Sequence, residues 1–124
     1  MKLASLIHNR DLLLAAYQRY ADGDASVTEV VKNLKVEAER ALKEDPYSIV
    51  NKEKVPPSGD KHDYMSVGPY WWPDPDKADG LPYIRRDGEV NPEYNESDAP
   101  VLTAMVRTVE TLSLAWFFLE DPAC

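Results

Sequence analysis

Residues 97–122 read SDAPVLTAMVRTVETLSLAWFFLEDP, and this stretch decides the fold class. Ser97, Asp98 and Pro100 supply capping oxygens and a preset φ, which together mark a helix start. Leu102, Met105, Val106, Val109, Leu112, Trp116 and Phe117 then recur at helical spacing and predict a helix over about 99–120, burying one apolar face. Toward its end Leu114, Ala115, Phe118 and Leu119 fill the faces that this stripe leaves. A helix that is apolar almost all round is buried on every side. Two further helices cannot supply that burial, and Asp121-Pro122 has the form of yet another helix start. The pattern implies a piece of a larger helical protein. The alternative is an end that packs back onto the helices before it.

Upstream, Leu6, Ile7, Leu13, Leu14 and Tyr17 keep helical spacing over about 3–20, and Asp22-Gly23-Asp24 follows as a stop. Ser26 and Glu29 form a capping-box pattern, after which Val27, Val30, Val31, Leu34, Ala38 and Leu42 make one stripe over about 27–44. Nine of the ten prolines fall from Pro46 to Pro100. Each fixes φ and removes a backbone donor, so residues 46–97 form a long loop rather than a helix. A short β-hairpin fits there, with Asp87-Gly88 as a type I′ turn and Leu81–Arg86 and Glu89–Asn91 as arms. The expected fold class is all-α.

The chain has 124 residues, 44% of them hydrophobic, and 14 Lys+Arg against 22 Asp+Glu give a net charge of -8. That length suits one domain or part of one. No basic cluster is long enough to track phosphates, which excludes nucleic acid as a partner. No run approaches the ~20 apolar residues of a membrane span, so none is expected. The single cysteine, Cys124, allows neither an intrachain disulfide nor a cysteine metal site. Met1 to Asp11 hold no apolar run long enough for a signal peptide, so the protein is expected to be cytoplasmic or to have lost its signal.

The loop is crowded with aromatic residues: Tyr47, Tyr64, Tyr70, Trp71, Trp72, Tyr83 and Tyr94. Long irregular loops in compact domains are commonly binding loops. Flat rings with polar tips suit the C–H faces and hydroxyl edges of sugars, which makes Tyr70, Trp71 and Trp72 saccharide platforms; alternatively both tryptophans plug the core. Neighbouring side chains in extended backbone point opposite ways, so one tryptophan is expected buried and the other partly exposed. Lys61, His62, Asp63 and Tyr64 set a cation, an imidazole, a carboxylate and a phenol side by side. The neighbouring Asp can fix the histidine tautomer, and a catalytic pair or a surface His beside a structural Tyr are both open. Arg85 and Arg86 can clamp a carboxylate bidentately or bridge to Asp87 or Glu89, and alternation lets at most one face a ligand. Asp74, Asp76, Asp79 and Gly80 miss the calcium-loop spacing, with Ala78, Asp79 and Arg85 at positions that need a ligand, a glycine and a glutamate, so no metal site is expected. Asn95-Glu96-Ser97 matches a glycosylation sequon, a pattern frequent by chance.

The strings PPSGDKHDYMS at 56–66, GPYWWPDP at 68–75 and DGLPYIRRDGEVNPE at 79–93 closely resemble the N-terminal part of the alginate lyase domain family, which comprises bacterial and fungal polysaccharide lyases. The resemblance is strong over roughly residues 49–93 and unspecific in the flanking helices. It implies that residues 1–124 are the N-terminal fragment of a single (α/α) toroid, secreted or periplasmic. Such a toroid cleaves uronic-acid polymers, alginate or glucuronan, by β-elimination without a cofactor. The uronate carboxylate is neutralised, a base takes the C5 proton, and a Tyr or His acid protonates the departing 4-O oxygen. By resemblance, Lys61, His62, Tyr64, Tyr70, Trp71, Trp72, Arg85 and Arg86 contact substrate, His62 and Tyr64 are auxiliary catalytic candidates, and the main catalytic group lies on later helices. The implied partners are an anionic polysaccharide and the remaining helices of the toroid. From a different class, the alternative is a non-catalytic carbohydrate-binding or structural helical module. An acidic chain gives no steering toward an acidic polymer, so binding has to rest on Lys61, Arg85 and Arg86, acting within the ~8 Å screening length of physiological salt.

Overall fold

The computed structural model describes residues 9–120. Its elements are α1 (Arg10–Ala21), α2 (Ala25–Ala41) and α3 (Asp98–Leu119), with 3-10 turns at Ile49–Asn51 and Pro92–Tyr94. Strands β1 (Trp71–Trp72) and β2 (Ile84–Arg85) pair antiparallel. The fold is therefore all-α with a minimal sheet. The chain forms two compact units, Asp45–Arg107 and Met1–Glu44 with Thr108–Cys124, and α3 contributes to both.

Capping chemistry sets the helix ends. Asn9 is extended and its side chain accepts from the N–H groups of Asp11 and Leu12, at 3.0 and 3.2 Å, so α1 begins at Arg10. The expected start near residue 3, with Leu6 and Ile7, lies outside the described residues. At the other end the Gly23 N–H reaches the Tyr20 carbonyl and the Asp24 N–H reaches that of Arg19. These two bonds, with φ +80° at Gly23, make a Schellman stop where the sequence predicted an ending. Asp24, not Ser26, then caps α2, accepting from the Ser26 and Val27 N–H groups at 2.9 and 3.4 Å. A carboxylate already in non-helical backbone, at φ -56° and ψ 118°, is the better cap, and the Ser26 hydroxyl donates to it at 2.7 Å. That hydroxyl, the Arg19 guanidinium and the Val27 N–H hold the Asp24 carboxyl well below its ordinary range.

In the unit that holds α1, α2 and the C-terminal part of α3, Val31, Ala38, Ala115 and Phe117 are buried. The Tyr17 ring lies 5.5 Å from Phe117, and Tyr20 meets Phe118 edge-on at 6.1 Å. Most of the rest of the expected stripe on α3 is not covered, Leu112 being half-buried. Leu102, Met105, Val106, Val109 and Trp116 are exposed and only Phe117 is fully buried, because among the described residues the packing onto α3 converges on Ala115, Phe117 and Phe118. Val30 and Leu42 of the α2 stripe are likewise exposed. By length and a mean hydropathy of 1.3, α3 could cross a bilayer. Arg107 and Glu110 at its middle oppose that, since an ionised side chain at the bilayer centre costs roughly 3 kcal/mol or more.

The hairpin differs from expectation. β2 pairs with β1 in the register Trp71↔Arg85 and Trp72↔Ile84, not with residues 89–91. The Asp87-Gly88 turn is closed by the Glu89 N–H on the Arg86 carbonyl at 3.3 Å, and Gly88 alone has positive φ. A type I′ turn needs positive φ at both central residues, so this turn is of type II character and does not fold its arms together. Past the turn, the Asn91 N–H bonds instead to the Pro69 carbonyl at 2.7 Å.

Candidate functional site

The pleat determines which loop residues share a face. Opposed residues in a ladder project to the same side, so Trp71 and Arg85 leave the sheet together and Trp72 and Ile84 leave it on the other side. Trp71 is 46% exposed, Tyr70 is also exposed and Trp72 is half-buried, so the expected pairing of one buried and one partly exposed tryptophan is not met. A two-residue ladder has no second layer to cover a ring. Trp72 is covered instead by Arg86, whose guanidinium carbon lies 5.2 Å over the ring centroid, while its Nε1–H donates to the Glu89 carbonyl at 2.9 Å. Gly68 makes room for Trp71, since a Cβ there would meet the ring's Cδ1 at 2.5 Å.

Both arginines form the salt bridges that the sequence left open. Arg85 Nε donates to Asp87 Oδ1 at 2.6 Å, and Arg86 approaches Glu89 at 3.6 Å. The Arg85 and Asp87 side chains are both well exposed, so this is a solvated pair. The Arg86 N–H holds the Tyr70 carbonyl at 2.9 Å, extending the ladder by one bond.

His62 finds its carboxylate two residues back rather than at Asp63. Asp60 Oδ1 accepts from the His62 N–H at 2.8 Å and lies 2.8 Å from His62 Nδ1. The local turn made by the first bond brings the ring within reach of the same oxygen. A carboxylate only accepts, so Nδ1 carries the hydrogen of this bond, and the His62 side chain is otherwise 80% exposed. Those two bonds, the backbone one first, hold the Asp60 carboxyl below its ordinary range. Lys61 and Tyr64 are exposed, and among the described residues no acid pairs with Lys61. Among the described residues no hydrogen bond, ion pair or ring contact joins Lys61, His62 or Tyr64 to the hairpin. The structure thus brings Trp71 to Arg85 and Trp72 to Arg86, and leaves the 61–64 group on its own segment.

The chain is similar to known proteins in sequence and in fold. The profile of the alginate lyase family matches residues 48–124, from just before the first 3-10 turn through the hairpin and α3. The chain belongs to the alginate lyase family. A crystal structure of an alginate lyase from Bacteroides ovatus is 47% identical, with a TM-score of 0.80, over 93% of this chain. The chain spans 30% of that lyase's length. No curated protein matches it.

Within this alginate lyase family chain, the buried Asn91 and Lys52 escaped the sequence reading, and Asp98, expected to cap α3, turns its carboxylate to Lys52 and the Met65 N–H instead. Asn91, 2% exposed, donates from Nδ2 to the Trp71 carbonyl at 2.7 Å and accepts from the Glu93 N–H at 3.0 Å. The Asn91-Pro92 dipeptide was a legible turn signal, but not for a reach of twenty residues. Lys52 and Asp98 form an ion pair at 2.6 Å, their side chains 5% and 1% exposed. Burial pushes the Asp98 carboxyl up, but hydrogen bonds from Lys52 and the Met65 N–H, with the lysine's charge, leave it below its ordinary range. The acids of the rejected calcium pattern serve the backbone: Asp74 and Asp79 accept from the N–H groups of Asp76 and Leu81, both at 3.0 Å.

Proposed function

We propose that the protein containing this chain is a polysaccharide lyase that cleaves uronic-acid polymers by β-elimination, alginate or glucuronan being the substrates to test first. In this reading residues 1–124 are part of an (α/α) toroid, the enzyme acts outside the cytoplasm, and the proline-rich loop contributes to its substrate cleft. Family membership supports the lyase. The observation that carries the substrate class is the shared face of exposed Trp71 and Arg85.

A sugar ring stacks its C–H face on the indole while its carboxylate meets the guanidinium. Arg85 is bound to Asp87 in the free protein, but an exposed pair is worth only about 0–1 kcal/mol, so a uronate carboxylate exchanges with it at little cost. Pairing that carboxylate also stabilises the enolate-like charge that grows as the C5 proton leaves, so the contact contributes more in the transition state than in the ground state. His62, with its exposed side chain, and Tyr64 are contacts of the same polymer and auxiliary acid or base groups. Tyr70, Trp72, Arg86 and Lys61 complete the cleft's aromatic and cationic lining.

The full-length enzyme is mixed with each polymer and followed by ultraviolet absorbance, which rises as unsaturated uronate ends form. Arg85→Ala is expected to lower kcat/KM. No rise with either polymer would overturn the lyase reading, and retained saturable binding without cleavage would establish a carbohydrate-binding module in its place.

A further inference from the structure

The Lys52–Asp98 pair has a geometry that stability alone does not require. Lys52 Nζ donates to Asp98 Oδ2 at 2.6 Å and to the carbonyl of Asp63 at 2.5 Å. The same Asp98 oxygen accepts from the Met65 N–H at 2.7 Å, and the Asp98 N–H returns a bond to the Met65 carbonyl at 2.9 Å. The backbone is therefore gripped immediately before and immediately after Tyr64, a residue itself 51% exposed. The two grips have opposite polarity. A cation holds a carbonyl and a carboxylate holds an amide, which no apolar pair can reproduce.

A buried ion pair is a poor way to gain stability, because desolvation consumes most of the attraction and well-packed apolar residues often do as well or better. Its use here is better explained by what it fixes. We propose that Lys52 and Asp98 are positioning residues that anchor the segment Asp63–Met65 to the first residue of α3, so that Tyr64 is presented to the polymer in one place. Ordering this loop before binding removes an entropic cost that the substrate contacts would otherwise have to offset. The proposal rests on the lyase reading given above, in which Tyr64 touches substrate.

The test uses the full-length enzyme with Asp98→Asn, Lys52→Met, and the double substitution K52M/D98L. The double variant guards against simple unfolding, because removing both charges together leaves no unpaired buried ion. Three readouts are taken on variants whose circular dichroism matches the parent. Hydrogen exchange at the Met65 amide is expected to accelerate at least tenfold. KM for the polymer is expected to rise about tenfold with kcat changed less, in the middle of the range seen when contacting groups are uncoupled. Combined with Tyr64→Ala, the double variant is expected to be no worse than Tyr64→Ala alone, because the pair acts through that residue. Unchanged kcat/KM in the folded variants, or losses that multiply with Tyr64→Ala, would overturn the positioning role and leave a structural strut. If the parent enzyme cleaves no uronic-acid polymer, the lyase reading fails separately. The Met65 exchange rate then still judges the grip, and unchanged protection refutes it.

Discussion

Replacing Asn91 by alanine tests what holds the aromatic strand. The side chain is 2% exposed and makes two hydrogen bonds, from Nδ2 to the Trp71 carbonyl and to Oδ1 from the Glu93 N–H. Each is worth about 1 kcal/mol net, and the second is also the cap of the 3-10 turn at Pro92–Tyr94, so their joint loss costs about 2–3 kcal/mol. The backbone bond from the Asn91 N–H to Pro69 is untouched, which confines the damage to Trp71 and Glu93. Local hydrogen exchange reads this directly, since 2 kcal/mol corresponds to about thirtyfold faster exchange at the Glu93 amide if opening is local. Asn91→Asp separates the two bonds. It keeps the acceptor for Glu93 but sets an oxygen against the Trp71 carbonyl, so Glu93 stays protected while the Trp71 strand loosens and polymer KM rises. If Asn91→Ala leaves Glu93 exchange within twofold of the parent, the strand is held by something other than this side chain, and the reasoning fails.

Three further substitutions probe other links. Gly68→Ala puts a methyl where Trp71 Cδ1 lies 2.5 Å away; because that ring is half exposed it swings aside, so tryptophan emission shifts and polymer KM rises several-fold, on the order of 1 kcal/mol, while the melting temperature stays put. The Asp24 carboxyl titrates below its ordinary 3.8 in the folded protein, so its cap contributes in full above that pH and is lost as pH falls further; Asp24→Asn, an equally good cap, removes this acid sensitivity, as a circular dichroism titration of the two proteins will show. The Glu93 carboxylate holds the Lys54 ammonium above its ordinary range across an exposed pair, and Lys54→Ala is expected to cost less than about 1 kcal/mol in urea unfolding, a loss that shrinks further in high salt.

The helices were legible because their signals are local. Apolar spacing and the stop at Asp22-Gly23-Asp24 act within four residues, and α3 spans Asp98–Leu119 where about 99–120 was expected. Which cap wins was less legible, since Asp24 and Ser26 are both good caps and only the non-helical backbone at Asp24 decides between them. The hairpin was misread for the same reason at longer range. Asp-Gly favours joining its immediate flanks, but Trp71↔Arg85 closes a fourteen-residue separation, and its stability comes from bonds such as Asn91 to Trp71 that no local rule encodes. The stripe on α3 identifies an apolar face correctly, yet a sequence pattern cannot say which neighbours cover it, and Met105, Val106 and Val109 are exposed among the described residues.

Charge shows the same division between residue type and pairing. Counting cations pointed to Lys61, Arg85 and Arg86 as the means by which a chain of net charge -8 holds an acidic polymer. Their partners grade them differently. Arg85 is shared with exposed Asp87, a pair worth at most about 1 kcal/mol, so a uronate can take the aspartate's place. Arg86 is committed to the Trp72 face, where it contributes about 0.5–1 kcal/mol by covering the ring rather than by reaching outward. Lys52, which no pattern singled out, is buried against Asp98, and breaking such a pair costs about 3–5 kcal/mol, so it cannot turn to substrate at all. If the proposed acidic polymer is the substrate, its binding turns on how cheaply each cation can change partners, and of Lys61, Arg85 and Arg86 it is Arg85 and Lys61 that can.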